Sequence, residues 1–392
     1  MVKNDLLFKE NEVKVILEGI VKRAQLKEGK ESVRAILREI YRSGTIGTKI
    51  LARKLHLPIP TIAALRKELE NIAFIARDKK GAILTPKGIK FVIEDLEIFY
   101  TKDLICKNCE GTTIELPFEA PELLAKLEQF MSQRPTPNTS IDQAFGMPIT
   151  ALRRALILLQ NDDLEGRKIL LLGDDDFTSL AIQLLKLKSQ VTVLEIDNRL
   201  LEIIKDISTK ENFSINCIKH DLRKPLPEDL MNKFDVILMD PPYTINGLKL
   251  FLSRALQALK KELNKKIYLS YAHRAPNEQF EIQKMIQAHN LAIQQIIPGF
   301  NLYEGAEMHG NTTYLAILST IQNFKILVSE EFSAEIYTGE VKPTIRIYEC
   351  KNKHQVSIGS NEKIHTIEEL KEKGCPVCGS KEQFLRVKTI KL

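Results

Sequence analysis

The chain has 392 residues, too many for one ordinary core, so two or three domains of roughly 100–200 residues each are expected. Hydrophobic residues make up 44% and charged residues 28%, which excludes a disordered or fibrous chain. Lys and Arg outnumber Asp and Glu by 57 to 51, and a formal charge of +6 neither demands nor excludes nucleic acid. The longest apolar runs, such as 169–172 and 236–239, fall far short of the ~20 residues of a membrane span. The opening MVKNDLLFKENEVK has no signal-peptide core, so a cytoplasmic protein with no membrane contact is expected.

In chain order, residues 1–100 come first. From about 31 to 92 the pattern reads helix, helix, helix and a short hairpin: ESVRAILREIYRSG stops at Gly44, and GTKILARKLHLP stops at Pro58. Thr61 then begins TIAALRKELENIAFIA, with Leu65, Leu69 and Ile72 on one face, and DKKG separates two β segments between Ile75 and Ala82. This order resembles a winged helix-turn-helix with the Thr61 helix in the recognition position. DNA binding competes there with a role in dimerisation or in walling an active site. Arg66 and Lys67 are the only cations on that helix, which favours the second reading.

Residues 101–148 read as a linker with CKNCEGTTIELP, a helix over about 122–132, and the proline-broken loop RPTPNTSIDQAFGMP. Five of six cysteines have zinc-ligand spacing, which in a reducing compartment points to metal rather than disulfides. Cys106 and Cys109 are open to two readings, metal bound across a dimer or two ordinary buried thiols. In the C-terminal segment, 326–392, Cys350 and His354 lie four apart and CPVCG supplies Cys375 and Cys378, the pattern of a zinc ribbon.

The central segment, 149–325, alternates strand and helix, which predicts an α/β, Rossmann-like domain of the class I methyltransferase type. RKILLLGDDDFTSLAIQLLKL is an apolar strand, a tight turn at Gly173 and an amphipathic helix. QVTVLEIDNRLLEIIKD is a second strand ending in acid, about twenty residues on, as a nucleotide-binding βαβ unit requires. Glu195 is the expected ribose ligand, with Asp197 close by; capping the next helix suits Asp197 better than Glu195. A third strand, SINCIKHDL, is expected to end at Asp221, near an adenine amino group. KFDVILMDPPYT carries a fourth strand into Asp240, Pro241, Pro242 and Tyr243, a stiff turn that holds a carboxylate toward a reacting amine. Asp174, Asp175 and Asp176 in the first turn would repel a phosphate and suit a cationic ligand such as a sulfonium, an ammonium or a polyamine. One of the three is expected to cap the following helix.

These motifs together resemble the branched-chain polyamine synthases, aminopropyltransferases of thermophilic archaea and bacteria. The resemblance runs through the winged-helix-like N-domain, CxxCxG at Cys106, Cys109 and Gly111, RPxP at Arg134, DQA at Asp142, GDDDFTS, EIDNRL, DLRKPLP and FDVILMDPPYT, with GFNLYEG near Phe300 as an acceptor-side loop. It implies a homodimer that transfers aminopropyl groups from decarboxylated S-adenosylmethionine to the secondary amine of spermidine. It also implies that Asp176 holds the donor's amine beside Gly173 and Asp174, that Asp175 holds the reacting acceptor nitrogen, and that Asp240, with Tyr243, faces that nitrogen from the other side. The terminal Cys350, His354, Cys375, Cys378 cluster departs from the archaeal pattern. The chief rival is an S-adenosylmethionine-dependent RNA or DNA amine methyltransferase, because DPPY also positions exocyclic amines. Three aspartates at the turn make nucleic acid an unfavourable partner. A metal-dependent regulator with a degenerate enzyme domain leaves DPPYT and GDDD unexplained.

Overall fold

The computed structural model describes residues 2–101, 105–341, 344–359 and 362–391, and within these it divides into two units. The first comprises Met1–Glu115 with two returning segments, Ala272–Phe280 and Ile297–Tyr314; the second comprises Leu116–Tyr271, Glu281–Ile296 and Leu315–Leu392. Small parts of the linker and of the C-terminal segment, at 102–104, 342–343 and 360–361, lie outside the described residues.

The first unit begins with helix α1 (Val2–Ala24), which the charge-interrupted opening sequence did not suggest. Helix α2 (Lys30–Ser43) turns Val33, Ile36, Leu37 and Ile40 inward, the i, i+3, i+4, i+7 stripe of a half-buried helix. After β1 (Thr45–Ile46) come α3 (Thr48–Leu55) and α4 (Ile59–Asn71), the latter burying Ile62, Leu65 and Leu69. Helix α4 starts two residues before Thr61 because Pro60 fits the first helical turn, where no N–H is required. Strands β2 (Ile75–Asp78) and β3 (Gly81–Leu84) complete a three-stranded antiparallel sheet in the order β1-β3-β2, and α5 (Pro86–Lys90) follows. The GFNLYEG loop belongs to this unit: the Gly299 N–H donates to His273 Nε2 at 3.2 Å, and the His273 ring stacks on His56 at 4.2 Å.

The second unit opens with α6 (Ala120–Met131), the loop with one 3-10 turn at Thr139–Ile141, and α7 (Pro148–Gln160). The alternating region then gives β4 (Lys168–Leu172), α8 (Thr178–Leu184), β5 (Gln190–Glu195), α9 (Asn198–Glu211), β6 (Ile215–Lys219), β7 (Val236–Met239), α10 (Ile245–Ala258) and β8 (Lys266–Ala272). Helix α11 (Pro276–Ala288), β9 (Leu291–Leu302) and β10 (Thr312–Thr320) close the sheet, whose order is β6-β5-β4-β7-β8-β10-β9. Strands β6, β5, β4, β7 and β8 pair in parallel. Strand β4 is buried from Ile169 to Leu172 and β7 throughout, as central strands covered on both faces must be. The order reverses around β4, so the crevice beyond the carboxyl ends of β4, β5 and β7 is where such sheets bind ligands.

The rest of the unit is α12 (Thr338–Val341) and the antiparallel sheet β12-β11-β13, formed by β11 (Thr344–Glu349), β12 (Gln355–Ile358) and β13 (Leu385–Lys391), with α13 (Ile367–Lys373) between the last two. Cys350 and Cys375 lie in its small core with Val356, Ile358 and Leu370.

Candidate active site

The turn after β4 gives three consecutive aspartates three different environments. Gly173, at φ +81°, takes the left-handed conformation that lets the chain leave the strand sharply. The Asp174 carboxylate turns back under the first turn of α8 and accepts the Ser179 N–H at 3.2 Å, so this is the capping aspartate. Burial raises its pKa to about 8, against the opposing pull of the Ser179 hydrogen bonds. Asp176 is also buried: it accepts the Gly146 N–H and the Arg154 guanidinium, the latter at 2.7 Å. A side chain at Gly146 would put its Cβ 2.7 Å from Asp176 Oδ1, so only glycine admits this approach.

Asp175 stands between them with its carboxylate unengaged: no hydrogen bond or ion pair reaches it among the described residues. Its backbone carbonyl accepts from Arg134 at 3.3 Å. Burial, reinforced by the negative charges of Asp176, Glu195 and Asp240, holds its pKa well above the usual carboxylate range, with Arg154 pulling the other way.

At the end of β5, Glu195 is buried and fixed at both oxygens, accepting Asp174 N–H at 3.0 Å and Asp197 N–H at 2.9 Å. Burial raises its pKa despite those bonds. Asp197 is the N-cap of α9, accepting Arg199 N–H at 3.0 Å, and Gln143 of the DQA motif donates to it at 3.3 Å. Burial would raise its pKa, but the Arg199 hydrogen bonds and charge outweigh it and lower the value. Asp221 does not end a strand. Strand β6 stops at Lys219, and Asp221 sits in the turn beyond, where its carboxylate accepts Arg223 N–H at 2.9 Å. The local turn wins because that side chain satisfies the backbone two residues on.

Asp240 projects from the end of β7, between Arg154 at 2.9 Å on Oδ2 and the Tyr243 hydroxyl, which donates to Oδ1 at 2.9 Å. The Tyr243 ring lies 5.0 Å from that of Tyr271, whose hydroxyl donates to the Thr244 carbonyl at 3.2 Å. Thr244 in turn caps α10 through Gly247.

The structure therefore gathers Gly173, Asp174, Asp175, Asp176, Glu195, Asp197 and Asp240 at one end of the sheet. It also brings in Arg134 of the RPxP motif, to which the sequence assigned no role, and two residues the sequence did not single out, Arg154 and Tyr337. Arg154 lies in α7, PITALRRALILLQ, where the pair of arginines in an otherwise apolar helix is conspicuous but its partners, Asp176 and Asp240, are not visible from the sequence. Arg134 lies over the Phe145 ring at 4.4 Å and hydrogen-bonds Gly146 O, fastening the proline loop to the turn. Tyr337 is buried under Arg223, 5.1 Å from the ring centre, and feels the charges of Asp221, Glu340 and Glu195. No local pattern marks Tyr337, which arrives from the far end of the chain.

Away from the crevice, Cys350, His354, Cys375 and Cys378 place four ligand atoms within 4.8 Å of one another. Cys350 Sγ lies 3.8 Å from Cys378 Sγ and 3.7 Å from His354 Nδ1. Ligand bonds of about 2.0–2.3 Å meeting tetrahedrally give edges of about 3.6–3.8 Å, so the donor set and spacing fit zinc. Cys106 is exposed and Cys109 half-buried, so they are not ordinary core thiols, and no further ligand joins them among the described residues. No helix among the described residues is long and apolar enough to cross a membrane.

The architecture is mixed α/β with a central parallel sheet, and the acid-lined crevice lies at the carboxyl end of its strands. The chain belongs to the branched-chain polyamine synthase family: the model described as "Branched-chain polyamine synthase A C-terminal domain" matches residues 122–372. An uncharacterized protein of Methanocaldococcus jannaschii is 44% identical over 336 residues, covering 86% of this chain and 85% of that one. The N(4)-bis(aminopropyl)spermidine synthase of the same organism is 33% identical over 249 residues, covering 63% and 70%. The branched-chain polyamine synthase of Thermus thermophilus, solved in complex with N4-aminopropylspermidine and 5'-methylthioadenosine, shares the fold at 21% identity and a TM-score of 0.65, over 83% of this chain and 97% of that one.

Proposed function

We propose that the chain transfers aminopropyl groups from decarboxylated S-adenosylmethionine to the secondary amine of spermidine, making N4-aminopropylspermidine and then N4-bis(aminopropyl)spermidine. The observation that carries this reading is the Asp175 carboxylate, half-buried among Asp176, Glu195 and Asp240 beyond the carboxyl end of β4 and without a hydrogen-bond donor among the described residues. Such a site attracts a cation and repels a phosphate backbone, which counts against the nucleic-acid methyltransferase.

In this reading Glu195 accepts the ribose hydroxyls, with Asp197 and Asp221 beside the nucleoside and Gly173 and Asp174 shaping the turn. Asp176 faces the donor's amine, although both its oxygens already have partners. Asp175 holds the acceptor nitrogen, and Asp240 faces it with Tyr243. The nitrogen lone pair forms the new N–C bond as the C–S bond breaks, and the electron pair leaves on sulfur as a neutral thioether. Little covalent help is needed; the carboxylates position the amine and favour the cation that forms. The half-buried Tyr243 ring, backed by the buried Tyr271 ring 5.0 Å away, offers a face to the polyamine's methylenes and ammonium groups.

The first unit is read as a winged helix-turn-helix on its helix–strand–helix–helix–strand–strand order, and the last sheet as a zinc ribbon on its Cys3His spacing. Bound zinc would there be structural and contribute folding free energy. The family resemblance supports a cytoplasmic homodimer.

Titration of variants tests the assignment. Asp175→Asn or Asp240→Asn should cut spermidine binding and turnover about tenfold to a hundredfold, since a charge-assisted hydrogen bond contributes roughly 1.5–3 kcal/mol. Glu195→Gln should weaken the nucleoside donor and leave polyamine affinity nearly unchanged. Full transfer by both aspartate variants would refute the site.

A further inference from the structure

Arg154 is a cation built into a site that should attract cations. It comes from α7, its side chain is 8% exposed, and its two terminal nitrogens reach Asp176 at 2.7 Å and Asp240 at 2.9 Å. It thus ties the β4 turn to the β7 turn. Asp176 also accepts a hydrogen bond from Gly146 N–H, and Asp240 one from the Tyr243 hydroxyl, so fixed donors hold these two carboxylates, whereas no such bond reaches the Asp175 carboxylate among the described residues.

This arrangement answers a chemical difficulty in the proposed reaction. A polyamine nitrogen attacks only when it is unprotonated, yet a ring of carboxylates favours the ammonium form, which has no lone pair. Binding the acceptor and activating it therefore pull in opposite directions. A fixed guanidinium beside the ring offsets part of the negative charge, and unlike an ammonium it does not deprotonate at working pH.

We propose that Arg154 is a positioning residue that divides the carboxylate ring: it neutralises Asp176 and Asp240 as a rigid pair, directs the acceptor nitrogen to Asp175, and lowers the cost of deprotonating that nitrogen. The inference rests on the aminopropyltransferase reading. In the first transfer the secondary ammonium gives one proton to solvent before attack, and attack yields a tertiary ammonium. That nitrogen gives its remaining proton to solvent before the second attack, whose product is a quaternary cation with no proton to lose.

The test is a pH profile of kcat and KM for spermidine with wild type, Arg154→Met and Arg154→Lys. The wild type alone decides the underlying reading: if it transfers no aminopropyl group to a polyamine, both ideas fall. Given an active wild type, Arg154→Met should leave KM unchanged or lower it, because the ring becomes more negative. Its kcat should fall at least tenfold at neutral pH, and the acidic limb should move up by about one pH unit. Arg154→Lys restores the charge but not the two-armed bridge, so the limb should return toward wild type while kcat stays low. If Arg154→Met does not fold, the lysine variant still decides, because a limb displaced as far as one pH unit despite the retained charge contradicts the charge argument. An unshifted limb in Arg154→Met, with proportionate losses of kcat and thermal stability, would mean that Arg154 only holds the fold.

Discussion

Asp174, Asp175 and Asp176 are chemically identical neighbours, and the backbone alone makes them different. The left-handed Gly173 aims the first back under α8, leaves the second without a hydrogen-bond donor among the described residues and buries the third against Arg154 and Gly146. The sequence showed that three acids share one turn and that one would cap a helix, but which one depends on a turn geometry that composition does not encode. Arg154 was hidden for a related reason: its meaning comes from Asp176 and Asp240, 22 and 86 residues away. Asp174 also yields a pH prediction. Its folded pKa of about 8 lies above the ordinary carboxylate value, so the native state retains a proton that the unfolded chain has lost between about pH 4 and 8. That stabilisation is complete below the unfolded pKa and disappears as pH rises through about 8. Thermal unfolding of Asp174→Asn, which keeps an oxygen for the cap, should show the variant gaining on wild type from pH 5 to 9. A constant difference across that range would remove the inferred burial cost.

At the level of elements, the alternation of strand and helix from β4 to β10 was legible because hydrophobic period and turn residues agree along it. The segment after β10 was not. It is tied down by Arg254 on α10, which is fully buried and donates to the carbonyls of Leu222, Val328 and Glu330 at 2.8, 3.2 and 2.7 Å. Thr244 and Asn246 add bonds to Ile336 O and Glu335 O. A chain held by its carbonyls leaves no side-chain pattern to read. Arg254→Met should cost at least about 3 kcal/mol, because several buried carbonyls lose their donor together. Calorimetry showing an unchanged midpoint would contradict this. The cysteine cluster, by contrast, was plain from spacing alone. Changing Cys375 and Cys378 to Ser should remove zinc and loosen the β11–β13 sheet while the parallel sheet remains folded, which elemental analysis and hydrogen exchange can separate.

For the whole molecule, a formal charge of +6 coexists with an acidic crevice, so net charge misdescribes the site. The cations of the first unit are also less available than they look: Arg66 on α4 pairs with Glu70 at 3.8 Å, and Arg23 with Glu68 at 2.7 Å. Few counterions would be released on a duplex, so DNA binding by this protein should be weak; a nanomolar complex with a steep salt slope would revive a nucleic-acid role. The claim on which the account turns is aminopropyl transfer to an internal nitrogen. Mass spectrometry with fragmentation, after incubation of the protein with spermidine and decarboxylated S-adenosylmethionine, tests it most directly. Products one and then two aminopropyl groups heavier are expected, both additions on the secondary nitrogen; unmodified spermidine, addition at a terminal amine, or methyl transfer to nucleic acid instead would contradict aminopropyl transfer to the internal nitrogen.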